Sequence, residues 1–125
     1  MYLVDTNILL EILLGQTKKE ACKDFIRQNV QLVVLSDFSV HSIGVIMLKN
    51  NKGLGLQVFY EKFLPYVTVA TLPSNGYAQI VDNAQKYLLD FDDAYQYTLA
   101  KRLGFKLLTL DKHLKKMKDI QVVGL

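Results

Sequence analysis

The sequence predicts an α/β domain in which helices cover both faces of a central, mostly parallel sheet, giving three layers. Short apolar stretches typical of β-strands alternate along the chain with longer stretches whose apolar residues have helical spacing. This alternation continues along the whole chain and favours parallel strands joined through helices. The 125 residues, of which 50% are hydrophobic, suffice for one core and predict a single domain over residues 1–125.

The first half of the chain contributes two strands and four helices. The first strand is "YLVD", and the helix after it, "TNILLEILLG", ends at Gly15. A second helix, "KKEACKDFIRQN", has one apolar face made of Ala21, Cys22, Phe25 and Ile26. The strand "VQLVVLS" leads into the helix "DFSVHSIGVIMLKN", which Ser36 or Asp37 would cap and which we expect to be largely buried. A fourth helix, "LQVFYEKFL", ends at Pro65.

The second half contributes three strands and three helices. The strand "YVTVATL" precedes a helix that Pro73 and Ser74 open, with apolar residues Tyr77, Ile80, Val81, Ala84 and Leu88. The segment "DFDD" begins a helix that ends at Gly104 and has one face made of Phe91, Ala94, Tyr95, Thr98 and Leu99. The strand "FKLLTL", the short helix "DKHLKKM" and the strand "IQVVGL" complete the chain.

Composition restricts the setting of the protein more than its function. The net charge of +3 permits a nucleic-acid partner without requiring one. The single cysteine, Cys22, excludes an intramolecular disulfide and fits a buried thiol in a reducing compartment. No apolar run is long enough to span a membrane, and Asp5 and Glu11 interrupt the apolar N-terminal stretch, so it does not resemble a signal peptide. We therefore predict a cytoplasmic protein without a membrane partner.

Acidic residues follow several of the predicted strands or begin helices near the sheet. Asp5 follows the first strand, Asp37 the second and Asp111 the fourth, while Asp90, Asp92 and Asp93 begin a late helix. Each of them fits the ordinary role of a helix cap or a first-turn acid. Together they predict an acidic site, because ligands of open α/β sheets bind outside the carboxyl ends of the strands.

A cation would relieve the repulsion within such a site. Clustered carboxylates raise one another's pKa, and a bound metal removes that cost. Only hard oxygen ligands are present, without a cysteine cluster or a suitably spaced histidine pair, which indicates Mg²⁺ or Mn²⁺ in preference to Zn²⁺.

Three segments carry a resemblance to a known family. "YLVDTN", "DDAYQYTLAKRLG" and "LLTLDKHL" resemble the three acidic motifs of PIN domains, and the length and motif order resemble VapC-type toxins of toxin–antitoxin modules. The resemblance covers nearly the whole chain. It implies a three-layer α/β/α fold, the activity of a Mg²⁺- or Mn²⁺-dependent endoribonuclease (a hydrolase of RNA), a cognate antitoxin partner and a homodimer.

The resemblance also implies roles for individual residues. Asp5, Asp93 and Asp111 match the family's acids and would be the catalytic metal ligands. Other residues would support them from nearby: Thr6, Asn7, Ser42, Asp92 and Thr109. Ser42 occupies the position at which the family places a glutamate, and serine cannot supply that charge.

Contacts to RNA are less well marked in the sequence. Lys112, Lys115 and Lys116 follow Asp111 and could contact phosphates, although lysines commonly solvate a surface helix. Tyr95 and Tyr97 could stack on bases, although Tyr95 also fits the core face of its helix.

Two rival interpretations remain at this level. A catalytically degraded PIN domain, without its glutamate, would bind RNA or a protein and perform no chemistry. A phosphoryl-transfer domain is disfavoured, because a haloacid-dehalogenase-like phosphatase needs a second aspartate two residues after the first, where this chain has Asn7.

Overall fold

The computed structural model describes residues 1–125, which form five strands and six α-helices. In chain order these are β1 (Tyr2–Val4), α1 (Thr6–Leu13), α2 (Lys19–Asn29), β2 (Val33–Ser36), α3 (Asp37–Lys49), α4 (Gly53–Lys62), β3 (Thr68–Ala70), α5 (Tyr77–Tyr87), α6 (Phe91–Leu103), β4 (Lys106–Thr109) and β5 (Val122–Gly124). Short 3-10 turns lie between them at Val30–Leu32, Leu64–Tyr66, Ser74–Gly76 and Leu114–Lys116. None of the helices combines the length and the apolar character needed to cross a membrane.

The five strands form one sheet in the order β3-β2-β1-β4-β5, and every pair is parallel. The predicted parallel sheet is therefore confirmed. The chain moves outward from β1 to β3 on one side and then crosses to β4 and β5 on the other. The direction of the strand order thus reverses between β1 and β4, which is where open α/β sheets bind ligands.

Alternate residues of each central strand face the two helical layers. Leu3 and Leu107 belong to a core cluster that includes residues of α5 and α6. Val4 and Leu108 belong to a second cluster that includes residues of α1, α2, α3 and α4. The strands thus bury both faces, as expected for a parallel sheet between helices, and the three-layer α/β/α architecture is confirmed.

Polar side chains fix where three of the helices begin. Asp5 caps α1 by accepting from Thr6 N, Ser36 caps α3 by accepting from Ser39 N, and Asp90 caps α6 by accepting from Asp93 N. Each oxygen satisfies a backbone N–H that has no partner within its own helix. Because Asp5 directly follows β1 and Ser36 is the last residue of β2, strand end and helix start are coupled at the carboxyl edge of the sheet.

Helix α6 is more deeply buried than its sequence pattern indicated. Its residues 94–100 are all buried, including the polar Gln96 and Thr98, while Phe91 is 53% exposed. The helix packs against α5 and the sheet. The predicted single apolar face was therefore incomplete, because tertiary packing surrounds the middle of this helix, residues 94–100.

Other helices are less buried than predicted. Helix α3 buries only Ser39, Ile43 and Met47, so the prediction of a largely buried helix was wrong. On α5 only Ile80 is buried, and on α2 Ala21 is exposed. The segment "DKHLKKM" forms a 3-10 turn in place of a short α-helix, and α4 ends at Lys62, before Pro65.

Leu88 follows the last turn of α5 in a left-handed conformation with φ 55° and is 87% exposed. This conformation costs a residue with a Cβ atom about 1–2 kcal/mol, whereas glycine adopts it freely. We expect Leu88→Gly to raise the free energy of unfolding by about 0.5–1 kcal/mol, measured by urea denaturation.

The matched control is Gly104→Leu, which introduces the same side chain at another left-handed position, with φ 73° and open space around the Cβ position. It should lower the free energy of unfolding by about 1–2 kcal/mol. A loss of stability in Leu88→Gly would contradict the strain at Leu88.

Candidate active site

Asp5 lies at the point where the strand order reverses. Its N–H donates to the carbonyl oxygen of Leu108 in β4 at 2.8 Å. Its Oδ1 accepts from Thr6 N at 2.8 Å, and its Oδ2 accepts from the Thr109 hydroxyl at 2.7 Å. Asp5 thus caps a helix and presents a buried carboxylate whose orientation is fixed from both sides.

Asp111 reaches the same edge through β4. Its N–H donates to Thr109 Oγ1 at 2.9 Å, and the same hydroxyl donates to Asp5. Its Oδ1 accepts from His113 N at 2.8 Å. One buried threonine hydroxyl therefore connects the two acidic positions, which lie 106 residues apart in the sequence.

Asp93 comes from the first turn of α6. Its N–H donates to the capping Asp90 at 2.9 Å, which holds the start of the helix in place. The side chain is half-buried, and the Asp111 carboxyl lies within hydrogen-bonding reach of it. Three elements that are distant in sequence thus bring Asp5, Asp93 and Asp111 to one site.

These side chains line one cavity of about 280 Å³. Its acidic lining consists of Asp5, Asp90, Asp92, Asp93 and Asp111. The remaining lining comprises the polar Thr6, Asn7, Ser42 and Gln96 with the apolar Leu10, Phe38 and Ile46. No lysine, arginine or histidine lines it, so no side chain of the cavity neutralises the carboxylates.

The uncompensated charge is reflected in the pKa values of the carboxyl groups. Burial, the hydrogen bond with Asp111 and repulsion from neighbouring acids raise the pKa of Asp93 to about 7. Burial also raises the pKa of Asp5, against the lowering effect of its hydrogen bonds with Thr109 and Thr6. The pKa of Asp92 is raised by burial and by Asp90. The cavity therefore favours either a retained proton or a cation.

The chemistry of the donors suits a hard divalent cation. Every polar side chain of the lining offers at least one oxygen atom, and neither cysteine nor histidine is present. As the side chains are placed, no group of three histidine, cysteine, aspartate or glutamate residues is arranged to hold a metal ion. The donor set fits Mg²⁺ or Mn²⁺, and Asp5, Asp93 and Asp111 are the residues that would hold it.

A buried cluster of hydroxyl groups lies beside the cavity and was missed by the sequence reasoning. Ser39 Oγ is hydrogen-bonded to Ser36 Oγ at 3.1 Å, to Thr6 Oγ1 at 2.8 Å and to Gln96 Nε2 at 2.6 Å. The spacing of Gln96, three residues after Asp93, was the available signal, since such residues share a helix face. A buried serine at position 39 had no comparable signal.

The residues predicted to support the acids make different contacts in the structure. The Thr109 hydroxyl contacts the Asp5 carboxylate, whereas the Thr6 hydroxyl contacts Ser39 and Thr6 reaches Asp5 through its backbone N–H. Asn7 Oδ1 accepts from Leu110 N at 3.4 Å, which links the first turn of α1 to the residue after β4. Ser42 and Asp92 line the cavity, and their roles stay predictions.

The residues predicted to contact RNA either lie outside the acidic cavity or are buried in the core. Lys112, Lys115 and Lys116 are exposed, and none of them lines the acidic cavity. Tyr95 and Tyr97 are 2% and 0% exposed, so the suggestion that they stack on bases was wrong. The Tyr95 hydroxyl donates to Asp37 at 2.6 Å, and Asp37 does not line the cavity.

The fold and the cavity together define an α/β domain with an acidic centre at the switch point of a parallel sheet. A family model described as PIN domain matches residues 2–120, and the chain belongs to the PIN domain family. The predicted family resemblance is confirmed. PIN domains are generally nucleases that depend on divalent metal ions.

Solved structures share this fold at low sequence identity. A toxin–antitoxin complex from Klebsiella pneumoniae aligns with a TM-score of 0.79 at 19% identity, covering 98% of this chain and 96% of that one. VapBC2 from Rickettsia felis, solved with a promoter DNA fragment, aligns at 0.78 and 12% identity, covering 99% and 98%. FitAcB from Neisseria gonorrhoeae aligns at 0.76 and 22% identity, covering 98% and 96%. No curated protein matches the chain.

The raised pKa of Asp93 predicts how the stability of the metal-free protein depends on pH. Folding raises this pKa from 3.8 to about 7, so between these two pH values the folded state binds more protons than the unfolded state. Stability therefore falls as the pH rises through this range. In EDTA we expect a higher Tm at about pH 5 than at about pH 8 by calorimetry.

The comparison variant is Asp93→Asn, which removes the titrating group and should reduce this difference in Tm. Part of the difference should remain, because the pKa of Asp5 is raised as well. An identical pH dependence in the two proteins would contradict the assignment to Asp93.

Proposed function

We propose that this PIN domain is an endoribonuclease that depends on Mg²⁺ or Mn²⁺. The observation that carries the proposal is the convergence of Asp5, Asp93 and Asp111 on one cavity without a basic side chain to neutralise them. Such a site costs folding free energy unless protons or a cation occupy it. A site of that kind is typical of function, because perturbed carboxylates collect where chemistry occurs.

The reaction is hydrolysis of a phosphodiester bond. A water oxygen forms the new bond to phosphorus, the bond from phosphorus to the leaving ribose oxygen breaks, and that oxygen takes up a proton. A bound divalent cation lowers the pKa of water, orients the phosphate and stabilises the charge on its oxygens. No side chain of the cavity is a strong nucleophile, so a covalent intermediate is not expected.

The three acids have different tasks in this proposal. Asp5, fixed by Thr109 and Thr6 N, is the central ligand. Asp93 is the second ligand, and Asp111 binds through water or orients the attacking water. Thr109 keeps Asp5 in one orientation and spaces it from Asp111, which is a supporting role that hydrogen-bonded partners of metal ligands commonly have.

RNA cleavage is tested by incubating purified protein with a mixed RNA pool in Mn²⁺, Mg²⁺ or EDTA and analysing the RNA on gels. We expect cleavage in either metal and none in EDTA. Asp93→Asn should lower the rate by at least about 100-fold, because an amide holds a cation less well than a carboxylate. Asp82→Asn, which changes an exposed acid of α5 outside the cavity, is the matched control and should cleave normally.

Two outcomes would overturn the proposal. Cleavage that persists in EDTA or in Asp93→Asn would show a different active site. Folded protein that binds the RNA pool without cutting it in either metal would support the rival function, a PIN domain that works by binding.

We also propose that the protein is the cytoplasmic toxin of a toxin–antitoxin pair. Support comes from the structural neighbours, which include a toxin–antitoxin complex at 19% identity and the same fold. A groove of about 470 Å³ between α1, α2 and α4 would receive an antitoxin segment. Its lining is mostly apolar, and Lys23, Arg27 and Lys62 at its edge suit an apolar segment with acidic flanks.

A homodimer is part of the same proposal. Three aliphatic side chains of α3 and α4 outside that groove are exposed, namely Val45, Leu48 and Leu54. Leu54 is 82% exposed and Leu48 62% exposed, and exposed apolar patches are typical of surfaces that contact another protein. Both helices belong to the N-terminal half of the chain, and we propose that the two copies pair through them.

The toxin prediction is tested by inducing the chain alone in a bacterial host and following growth. The intact protein should arrest growth, because unprotected RNA is cut. Asp93→Asn, expressed at the same level, should leave growth unchanged, and Asp82→Asn should arrest it. Equal arrest by the Asp93 variant would show that toxicity does not arise from the acidic cavity.

A further inference from the structure

Gln96 is the buried residue of the acidic cavity that neither the family motifs nor the charge pattern accounts for. It lies on α6, three residues after Asp93, and therefore on the same face of the helix. It is 1% exposed and lines the cavity together with Asp5, Asp93 and Asp111.

The two ends of its side chain have different surroundings. Nε2 donates to Ser39 Oγ at 2.6 Å. Oε1 is buried and has no hydrogen-bond partner, and no other buried side-chain oxygen or nitrogen of the protein shares that condition. A buried polar atom without a partner is destabilising and rare in folded proteins, so it needs an explanation.

The hydroxyl cluster occupies the nitrogen end of the Gln96 amide. Ser39 Oγ accepts hydrogen bonds from Gln96 Nε2 and from Ser36 Oγ. Its own hydrogen is then directed to Thr6 Oγ1 at 2.8 Å. The amide nitrogen is therefore engaged at the hydroxyl cluster, and the oxygen is the end of the side chain that is left without a partner.

The ionised carboxylates that line the cavity with Gln96 are hydrogen-bond acceptors only, so they offer its amide oxygen no favourable partner. A divalent cation supplies the missing partner, since amide oxygens are accepted ligands of hard cations. We propose that Gln96 Oε1 is an oxygen ligand of the divalent cation at this site, directly or through one bound water. The inference rests on the proposed metal-dependent function and adds a residue to it.

A neutral ligand has a consequence for the charge of the site. Three carboxylates and one amide carry one negative charge less than four carboxylates. Replacing Gln96 with an apolar residue of similar size removes the ligand oxygen. Replacing it with glutamate supplies a charged oxygen, which is a stronger ligand for the cation. The two substitutions therefore change the metal affinity in opposite directions.

The experiment measures Mn²⁺ binding by isothermal titration calorimetry, with Tm in EDTA as the check on folding. We expect Gln96→Met to raise the Kd for Mn²⁺ by about tenfold or more, and Gln96→Glu to lower it. The matched control is Thr98→Val, a buried polar residue of the same helix whose hydroxyl contacts Ala94 and Asn83 outside the cavity. It should leave the Kd unchanged.

Each outcome decides the question. If the intact protein binds Mn²⁺ and both Gln96 variants bind it equally well, the ligand role is wrong while the nuclease proposal stands. If Gln96→Met does not fold, the comparison of Gln96→Glu with the intact protein decides, and an unchanged Kd overturns the inference. Absence of Mn²⁺ binding in the intact protein overturns both, whereas normal binding with no RNA cleavage overturns only the nuclease.

Discussion

The parallel pairing of β1 with β4 is the constraint on which the site depends. It aligns the carboxyl ends of two strands that are far apart in sequence and places Asp5 beside Thr109. The hydrogen bond from Asp5 N to the Leu108 carbonyl extends this pairing one residue beyond β1. Because the strand order reverses at this pair, no helix crosses directly above it, and the crevice there stays accessible.

Negative charge is concentrated at that crevice at a cost to folding. The acids come from three separate elements, and the cavity offers them hydroxyl and amide groups but no positive side chain. Burial and mutual repulsion raise the pKa of Asp93 to about 7, so the carboxyl holds a proton that an exposed aspartate would release. An arrangement that opposes stability while it persists in a well-packed domain is typical of a functional site.

Buried polar groups next to the acids link the structural elements that carry them. Thr109 connects Asp5 with Asp111, and Ser39 connects α1, β2 and α6 through Thr6, Ser36 and Gln96. Such hydrogen-bonded groups hold a helix and a strand in one relative position, because each lost bond would leave a buried donor or acceptor unpaired. The position of Asp93 at the start of α6 is therefore determined by contacts within the core as well as by its own cap.

The sequence by itself determined the strands, the helix caps and the acids that end or begin them, because these depend on residues close together in the chain. The parallel sheet and the three layers were found in this way. The same local pattern marked a larger set of acids, from which the family resemblance selected Asp5, Asp93 and Asp111. Only the tertiary structure decided that residues 94–100 of α6 are all buried, that Tyr97 lies in the core, that the Thr6 hydroxyl contacts Ser39, and that Gln96 lines the same cavity as the acids. These features arise from pairs such as Ser39 with Gln96, 57 residues apart, and Asp5 with Thr109, 104 residues apart. Local periodicity reports which side of a helix is apolar, but the number of neighbours that surround the helix is set by how the sheet and the other helices pack.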